Sequence, residues 1–373
     1  MIFLDNAGTT KMFRECVETY SHFACEEFYN PSAVSRQSAF VHAKLEDTRK
    51  FLLKKLGAVE GTIIFTGGAT ESNNLAIKGA ARNGNFEYIF SNGEHPSVFN
   101  VAKNLGLEGK NVKFCKLDKN GKIDLVDLES KLNKNVKLIS CMLVSNETGA
   151  INDIKAISSL RDRLASNALL HVDAVQGFMK IPFSVEALKI DMLTFSAHKF
   201  HGPKGVGGLY VRKLNYIKNI VDGGGQEYGL RSGTENVPGI MAMRTAVEKI
   251  DVKKNFEHVL ELKQQLNKIL SGVQGIKVLD FNGSPYIEVL VFDGVKGETM
   301  LHALEEKGVI VGLGSACSAK KAGNRILQEI GIDKDEIISS CRISFNAYMT
   351  SEEIEKAGKT IIEVYNDIKK RVN

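Results

Sequence analysis

The chain has 373 residues, 43% of them apolar and 25% charged, with a formal net charge of +5. That is enough length for two domains and a large core, and the balance is that of an ordinary globular protein. Charges of both signs are interspersed, which argues against a dedicated nucleic-acid surface, and no apolar run approaches the roughly 18 to 20 residues of a membrane helix.

Residues 1–13 read as an extended lead-in, with Asp5-Asn-Ala-Gly-Thr-Thr10 as a polar turn. Met1-Ile-Phe-Leu-Asp5 carries no basic stretch and no cleavable apolar segment, so nothing there marks the chain for export. From about Phe13 to Gly57 the apolar spacing is helical, interrupted at Asn30-Pro31-Ser32. A unit then repeats: a short apolar run, a polar or Gly turn, a helical stretch. Its strands are Thr62–Thr66, Tyr88–Phe90, Lys137–Val144, Leu169–Asp173, Asp191–Phe195 and Gly208–Val211. Strands alternating with helices imply an α/β fold, a mainly parallel central sheet with helices on both faces. Ile240 to Leu270 reads as one long amphipathic helix bridging to a second region. There Lys277–Leu279, Tyr286–Phe292 and Cys341–Phe345 are strands of a smaller α+β domain. The six cysteines (Cys16, Cys25, Cys115, Cys141, Cys317, Cys341) show no C-x-x-C spacing. No structural zinc site and no disulfide framework is expected, and a reducing cytoplasm is the expected location.

In a parallel sheet the ligand sits outside the carboxyl ends of the strands, and the polar residues of interest fall there. Phe65-Thr-Gly-Gly-Ala-Thr-Glu-Ser-Asn-Asn74 runs strand, Gly-Gly turn, helix, with Thr70 placed to cap the helix. The free N–H groups and dipole of such an end make a phosphate cradle, though Gly-rich turns before capped helices are common. The G-K-[ST] ending of a nucleotide loop is missing, which disfavours a nucleoside triphosphate. In Ser91-Asn-Gly-Glu-His95-Pro-Ser97, Pro96 can start a helix and fix His95 over a pocket; a solvated loop histidine is the plain alternative. Asn146, in Val144-Ser-Asn-Glu-Thr-Gly149, could donate to a ligand oxygen or simply form a turn. Asp173 ends an apolar strand, where a carboxylate needs a cationic partner, either a protonated pyridine nitrogen or a structural arginine. Lys199, in Ser196-Ala-His-Lys199, follows on the next strand at the same edge and suits a Schiff base with a carbonyl cofactor; an ordinary lysine on a surface turn is the plain alternative. Gly312-Leu-Gly-Ser-Ala-Cys317-Ser-Ala319 sets a cysteine among small residues, where a thiolate could swing to a substrate.

Together these motifs resemble the NifS/IscS cysteine desulfurases of the class V aminotransferase family, fold-type-I pyridoxal phosphate enzymes. The resemblance runs from Leu4-Asp-Asn-Ala to Arg342-Ile-Ser. It rests on Gly67-Gly-Ala-Thr-Glu-Ser72, His171-Val-Asp-Ala-Val-Gln176, Ser196-Ala-His-Lys199 and Arg231-Ser-Gly-Thr-Glu-Asn236. It implies pyridoxal 5'-phosphate as cofactor, with Lys199 as Schiff-base and proton-transfer residue and His95 stacked on the ring. Asp173 would pair with the ring nitrogen, Asn146 and Gln176 with the ring oxygen. Ala69 (backbone), Thr70, Ser196 and His198 would hold the phosphate, and Thr234 would reach the phosphate of a partner subunit, making a homodimer. Arg342 would bind the substrate carboxylate alongside Asn146. Cys317 would take sulfur from L-cysteine as a persulfide, leaving alanine, and pass it to an iron–sulfur scaffold or tRNA-thiolation protein. No resident metal is implied, Cys317 serving only as a transient iron–sulfur ligand, and no direct contact with nucleic acid or membrane.

The implied large domain is 14–255, and 1–13 with 256–373 form a small one carrying the cysteine loop and Arg342. Ala197, Leu313, Asn346 and the segment Lys320-Lys-Ala-Gly323 depart from the family's usual residues, and a longer tail used by some members for scaffold docking is not seen after Asn373. The alternatives are a selenocysteine lyase or class V aminotransferase, for which Cys317 would be dispensable, and a non-catalytic sulfur-relay scaffold.

Overall fold

A computed structural model describes residues 1–313 and 325–372. After the short strand β1 (Ile2–Phe3) come helices α1 (Arg14–Cys25) and α2 (Arg36–Lys55). The alternating unit follows: β2 (Thr62–Thr66), α3 (Ala69–Ala80), β3 (Glu87–Ser91), α4 (Pro96–Leu107), β4 (Asn111–Cys115) and α5 (Leu125–Lys131). It continues with β5 (Val136–Met142), α6 (Ile154–Leu164), β6 (Leu169–Asp173), β7 (Met192–Ser196), β8 (Gly207–Val211) and α7 (Val237–Lys249).

These strands form one seven-stranded sheet in the order β2-β8-β7-β6-β5-β3-β4. Only β8 runs against its neighbours, so the other strands end on one edge. Every residue of β6, β7 and β8 is buried. A strand covered on both faces reads as a continuous apolar run, which is why the sequence reveals these so clearly. Successive residues part to opposite sides. Ile63, Ile139, Leu170 and Leu193 join α2, α6 and α7 in one apolar cluster. Ile64, Leu138, Leu169 and Met192 join α3 and α4 in another. The edge strand β4 went unrecognised in the sequence because Asn111 and Lys113 dilute its pattern, as suits an exposed edge.

The long helix expected over 240–270 is two. The structure ends α7 at Lys249, turns at Ile250 with extended backbone, and starts α8 (Val252–Leu270) at Asp251. The Asp251 carboxylate accepts from the N–H groups of Lys253 and Lys254, satisfying donors that a continuous helix would not expose. Beyond it lie β9 (Ile276–Leu279), β10 (Ile287–Phe292), α9 (Gly297–Glu306), β11 (Val309–Ile310), α10 (Arg325–Glu329), α11 (Lys334–Ile338), β12 (Ser340–Ser344) and α12 (Ser351–Val372). β12, β10 and β9 form an antiparallel sheet, and β1 pairs in parallel with β11. The N-terminal lead-in thus packs with the C-terminal third: Ile2 and Leu4 share a core with Leu262, Phe292, Ile343 and Ile361.

Candidate active site

A cleft of about 1010 Å³ opens where the strand ends of the large sheet face the C-terminal region. Gly68, His95, Asn146, Asp173 and Lys199 line it from the sheet side and Arg342 from the other. The sequence motifs converge on one place.

At the Gly-Gly turn, α3 begins at Ala69 with Gly68 as its cap, at φ +143° and without any side-chain cap. Thr70 is inside the helix, so its reading as the cap is corrected. The reason is conformational, the cap position standing at positive φ, in a turn so close to β8 that a Cβ on Gly207 would sit 2.9 Å from Gly68 Cα. Only glycine takes that backbone conformation freely. The uncapped end leaves backbone donors facing the cleft, with Thr70, Ser196 and His198 lining the same wall. Glu71 closes the far side of the turn, accepting from Gly67 N–H at 2.7 Å and from Arg231 Nε at 2.7 Å. Burial, and then Lys199, lower the His198 pKa to about 4, so its ring is neutral there, 3.1 Å from Thr9 Oγ1.

The polar elbow after β7 is a single 3-10 turn, Ala197–Lys199. Ala197, standing where the family favours glycine, is buried without positive φ, so its methyl is accommodated. The Lys199 ammonium donates to the carbonyls of Ala7 and Gly8, each at 2.7 Å. Burial, and then Arg342, depress its pKa to about 8, against the pull of Asp5 and Asp173. The amine is therefore available as a free base near neutrality.

Asp173 is buried at the end of β6. Its Oδ2 accepts from Asn73 Nδ2 at 2.8 Å and its Oδ1 from Val175 N–H at 3.0 Å. The structural arginine that would explain a buried carboxylate is not there among the described residues, whose partners for Asp173 are neutral donors. His95 caps α4 directly before Pro96, as the sequence led one to expect. Ser97 N–H donates to its Nδ1 at 3.1 Å, which puts the proton of the neutral ring on Nε2. Burial lowers the pKa of this imidazole.

Arg342 sits third in β12. It makes a largely buried ion pair with Asp5 Oδ1 at 2.7 Å and donates to Asn146 O at 2.9 Å. The Asn146 side chain donates to Glu147 Oε1 at 3.1 Å, while its buried Oδ1 has no hydrogen-bond partner among the described residues. Gln176 donates from Nε2 to Ala7 O at 2.9 Å. Thr234 is exposed and does not line the cleft of its own chain. Gly312 and Leu313 line the cleft, but Cys317, the rest of its loop and Lys320–Gly323 lie outside the described residues.

Three further residues belong to this site without having been singled out. Asn73 holds the Asp173 carboxylate; its signal was a second amide one turn into a helix whose start faces the ligand. Asp5 meets Arg342 because the lead-in pairs with β11 and bonds along β12, where Ser344 N–H donates to Leu4 O at 2.7 Å. Glu94 is fully buried beside His95: Oε1 accepts from Met142 N–H at 2.8 Å and Oε2 has no partner among the described residues. Burial, and then Asp173, raise its pKa well above the carboxylate range.

No group of three His, Cys, Asp or Glu side chains able to hold a metal occurs among the described residues. The donor set instead fits a phosphorylated pyridine aldehyde: an uncapped helix end for an anion, a buried carboxylate without a cation, an amine with depressed pKa, and the orphaned Asn146 Oδ1. The aminotransferase class-V family model matches residues 2–357. A NifS/IcsS protein homolog of Lactobacillus delbrueckii subsp. bulgaricus is 38% identical, covering 99% of this chain and 98% of that protein. Cysteine desulfurase 2 of Trichormus variabilis is 36% identical over 95% of this chain and 91% of its own. The solved structure of a NifS-like protein superposes with a TM-score of 0.90 at 33% identity, covering 98% of this chain and 99% of that one. Fold, cleft and likeness agree: the chain belongs to the class-V aminotransferases, within the NifS/IscS cysteine desulfurase family of fold-type-I pyridoxal phosphate enzymes.

Proposed function

We propose that this protein is a cysteine desulfurase that converts L-cysteine to L-alanine and carries the sulfur away as a persulfide on Cys317. The observation that carries the reading is Lys199. An amine whose pKa is depressed to about 8 sits at the same sheet edge as a buried carboxylate with no ion-pair partner among the described residues. Bound there, pyridoxal phosphate supplies an aldehyde for amines and a protonated ring that accepts electrons from the substrate Cα. Asp173, held by Asn73, keeps the ring nitrogen charged, and Gln176 and Asn146 address the ring oxygen. Backbone donors at Ala69 and Thr70, with Ser196 and His198, hold the phosphate, and Thr234 does so for a second copy of the chain in a homodimer. His95 covers the ring, its Nε2 proton directed away from the Nδ1 that Ser97 fixes.

Arg342 takes the substrate carboxylate, its planar fork suiting a two-point contact, with Asn146 beside it. Lys199 moves the proton at substrate Cα, and the Cys317 thiolate takes the sulfur atom. The balance closes: cysteine and a thiol become alanine and a persulfide. The acceptor is an iron–sulfur scaffold or a tRNA-thiolation enzyme, reached in the cytoplasm, and the Cys317 sulfur touches iron only in passing. The two-body division, 14–255 against 1–13 with 256–373, is supported by one apolar cluster around the large sheet and another that joins Ile2 and Leu4 to β10 and β12, with Ile326 crossing into the first.

Mass spectrometry after incubation with L-cysteine tests the mechanism, with one added sulfur expected on the peptide containing Cys317. Cys317→Ser is expected to keep the yellow colour of the loaded protein and lose alanine release; undiminished turnover would reject the persulfide route in favour of a lyase or aminotransferase. Lys199→Ala is expected to lose the lysine-linked colour altogether, and retention of it would refute the assignment.

A further inference from the structure

Lys180 is a buried lysine that the reading above leaves without work. It is 5% exposed, directly after Met179, which takes a positive φ of 61°. Its ammonium lies 5.7 Å from the centroid of the Tyr286 ring. No carboxylate among the described residues lies within ion-pair distance of it; its one hydrogen-bond partner there is Gln176 Oε1, at 2.7 Å. The charged and titratable groups around it are Lys199, Arg342, His198, His201 and Tyr286. Burial, and then Lys199 and Arg342, bring its own pKa down to about 7. A lysine so placed costs stability, which is a reason to ask what it does.

The chemistry of its neighbour answers. A carboxamide has one accepting end and one donating end, interchangeable in shape. As an ammonium Lys180 offers only donors, so it takes the oxygen of Gln176. Ala7 O offers only lone pairs, so it takes Nε2, at 2.9 Å. The same Ala7 O also accepts from Lys199, at 2.7 Å. Lys180 thus donates to Gln176, and Gln176 and Lys199 both donate to Ala7 O, which settles which end of the amide faces which neighbour. Gln176 lines the cleft, and Nε2 has a second N–H beyond the one given to Ala7. Without Lys180 the amide could turn over and show an acceptor to the cleft instead.

We propose that Lys180 is a positioning residue that holds the Gln176 amide with its donating end toward the cleft, and thereby sets the acid–base balance of the Lys199-linked chromophore. The inference rests on Gln176 meeting the ring oxygen of pyridoxal phosphate. A donor at that oxygen favours its charged form and so lowers the pH at which the linked imine gives up its proton.

The test is a pH titration of the visible absorption of the pyridoxal phosphate-loaded protein, which needs no turnover. Gln176→Ala is expected to raise the midpoint by about one pH unit, the scale of one hydrogen bond to a charged group. Lys180→Met, with neither donor nor charge, is expected to raise it comparably. Lys180→Met in the Gln176→Ala background is expected to add nothing, because the two act through one contact. Lys180→Gln keeps a donor without a charge and should stay near the wild-type midpoint, and it also serves should the methionine variant fail to fold. Equal shifts for Lys180→Gln and Lys180→Met, or an additive double variant, would mean that Lys180 acts by its charge, overturning the proposal. A shifted Gln176→Ala beside an unshifted Lys180→Met overturns the proposal alone. An unshifted Gln176→Ala overturns the cofactor contact, and the proposal with it.

Discussion

Arg342 reaches the cleft with a carboxylate already on it. Its pairing with Asp5 at 2.7 Å occupies one arm of the guanidinium, and Asn146 O occupies the other. On the proposed assignment a substrate carboxylate must displace Asp5 or share the arginine with it, and two like charges at one guanidinium oppose each other. Asp5→Asn is therefore expected to lower KM for L-cysteine about tenfold, about 1.4 kcal/mol, with a smaller change in kcat. Steady-state kinetics decide it, and a raised KM would show that Asp5 orients Arg342 instead of competing for it. Lys199 gives a second residue-scale expectation. A lysine attacks an aldehyde only as the free amine, and burial brings this one's pKa to about 8 from 10.5. The rate at which the cofactor-free protein combines with pyridoxal phosphate should rise with pH through a midpoint near 8. A rate still climbing in proportion to hydroxide above pH 9 would contradict the assigned environment. Lys199, Asp173 and His95 were legible in the sequence because each follows an apolar run that can only be a buried strand. Asp5 and Glu94 were not, because their importance lies in contacts with residues 337 and 48 positions away.

At the scale of elements, the turn from β3 to α4 ties three parts of the molecule. Arg325, at the start of α10, donates to the backbone carbonyls of Asn92 and Glu94 and stacks 3.9 Å from the centroid of the Phe99 ring on α4. Asn92 Nδ2 donates to Glu329 Oε1 at 2.8 Å, so both ends of α10 hold the turn that carries His95. Inside that turn Glu94 is buried, and burial, then Asp173, hold its pKa well above the usual carboxylate range. The sign of its pH effect follows from the raised pKa. The folded state holds the proton more tightly than the unfolded state, so the contribution is fully present below the ordinary carboxylate pKa. It is lost as pH rises toward the folded value. Glu94→Gln keeps the shape and one acceptor for Met142 N–H while removing the titration. Its urea midpoint should match wild type near pH 4.5 and exceed it increasingly toward pH 8, by about 1 kcal/mol or more. A constant difference across that range would mean that Glu94 is ionised throughout. Elements were legible where burial was complete, as in β6 and β7. The break at Ile250 was hidden because the apolar spacing continues in phase across it, and only the Asp251 cap marks the restart.

For the whole molecule, what matters is how the C-terminal region is held over the sheet edge. One joint is a close backbone crossing. Ser284 N–H donates to Gly149 O at 2.8 Å, and Gly149 takes a positive φ of 75° just beyond the strand end that carries Asn146. On the other side Gly283 comes so near that a Cβ there would sit 2.2 Å from Gly149 O and 2.9 Å from Ala150 N. Both atoms are backbone and cannot swing away. This joint fixes the height of β10, and β12 with Arg342 is paired to β10 in register, Val289 opposite Arg342. A displacement at Gly283 is thus passed to the arginine through a hydrogen-bonded ladder. Gly283→Ala should cost about 1 to 3 kcal/mol, the range for overpacking. It should also lower kcat/KM for L-cysteine at least tenfold, because catalytic contacts tolerate little misplacement. The comparison that isolates the effect is Gly106→Ala, inside α4, where the added methyl would meet Val112 Cβ at an ordinary 3.9 Å. That change should leave kcat/KM alone and stabilise by about 0.5 to 1 kcal/mol, as alanine does in a helix interior. Thermal unfolding and steady-state kinetics on the two variants settle the matter. If Gly283→Ala lost stability but kept its kcat/KM, the joint would hold the two regions together without setting the position of Arg342.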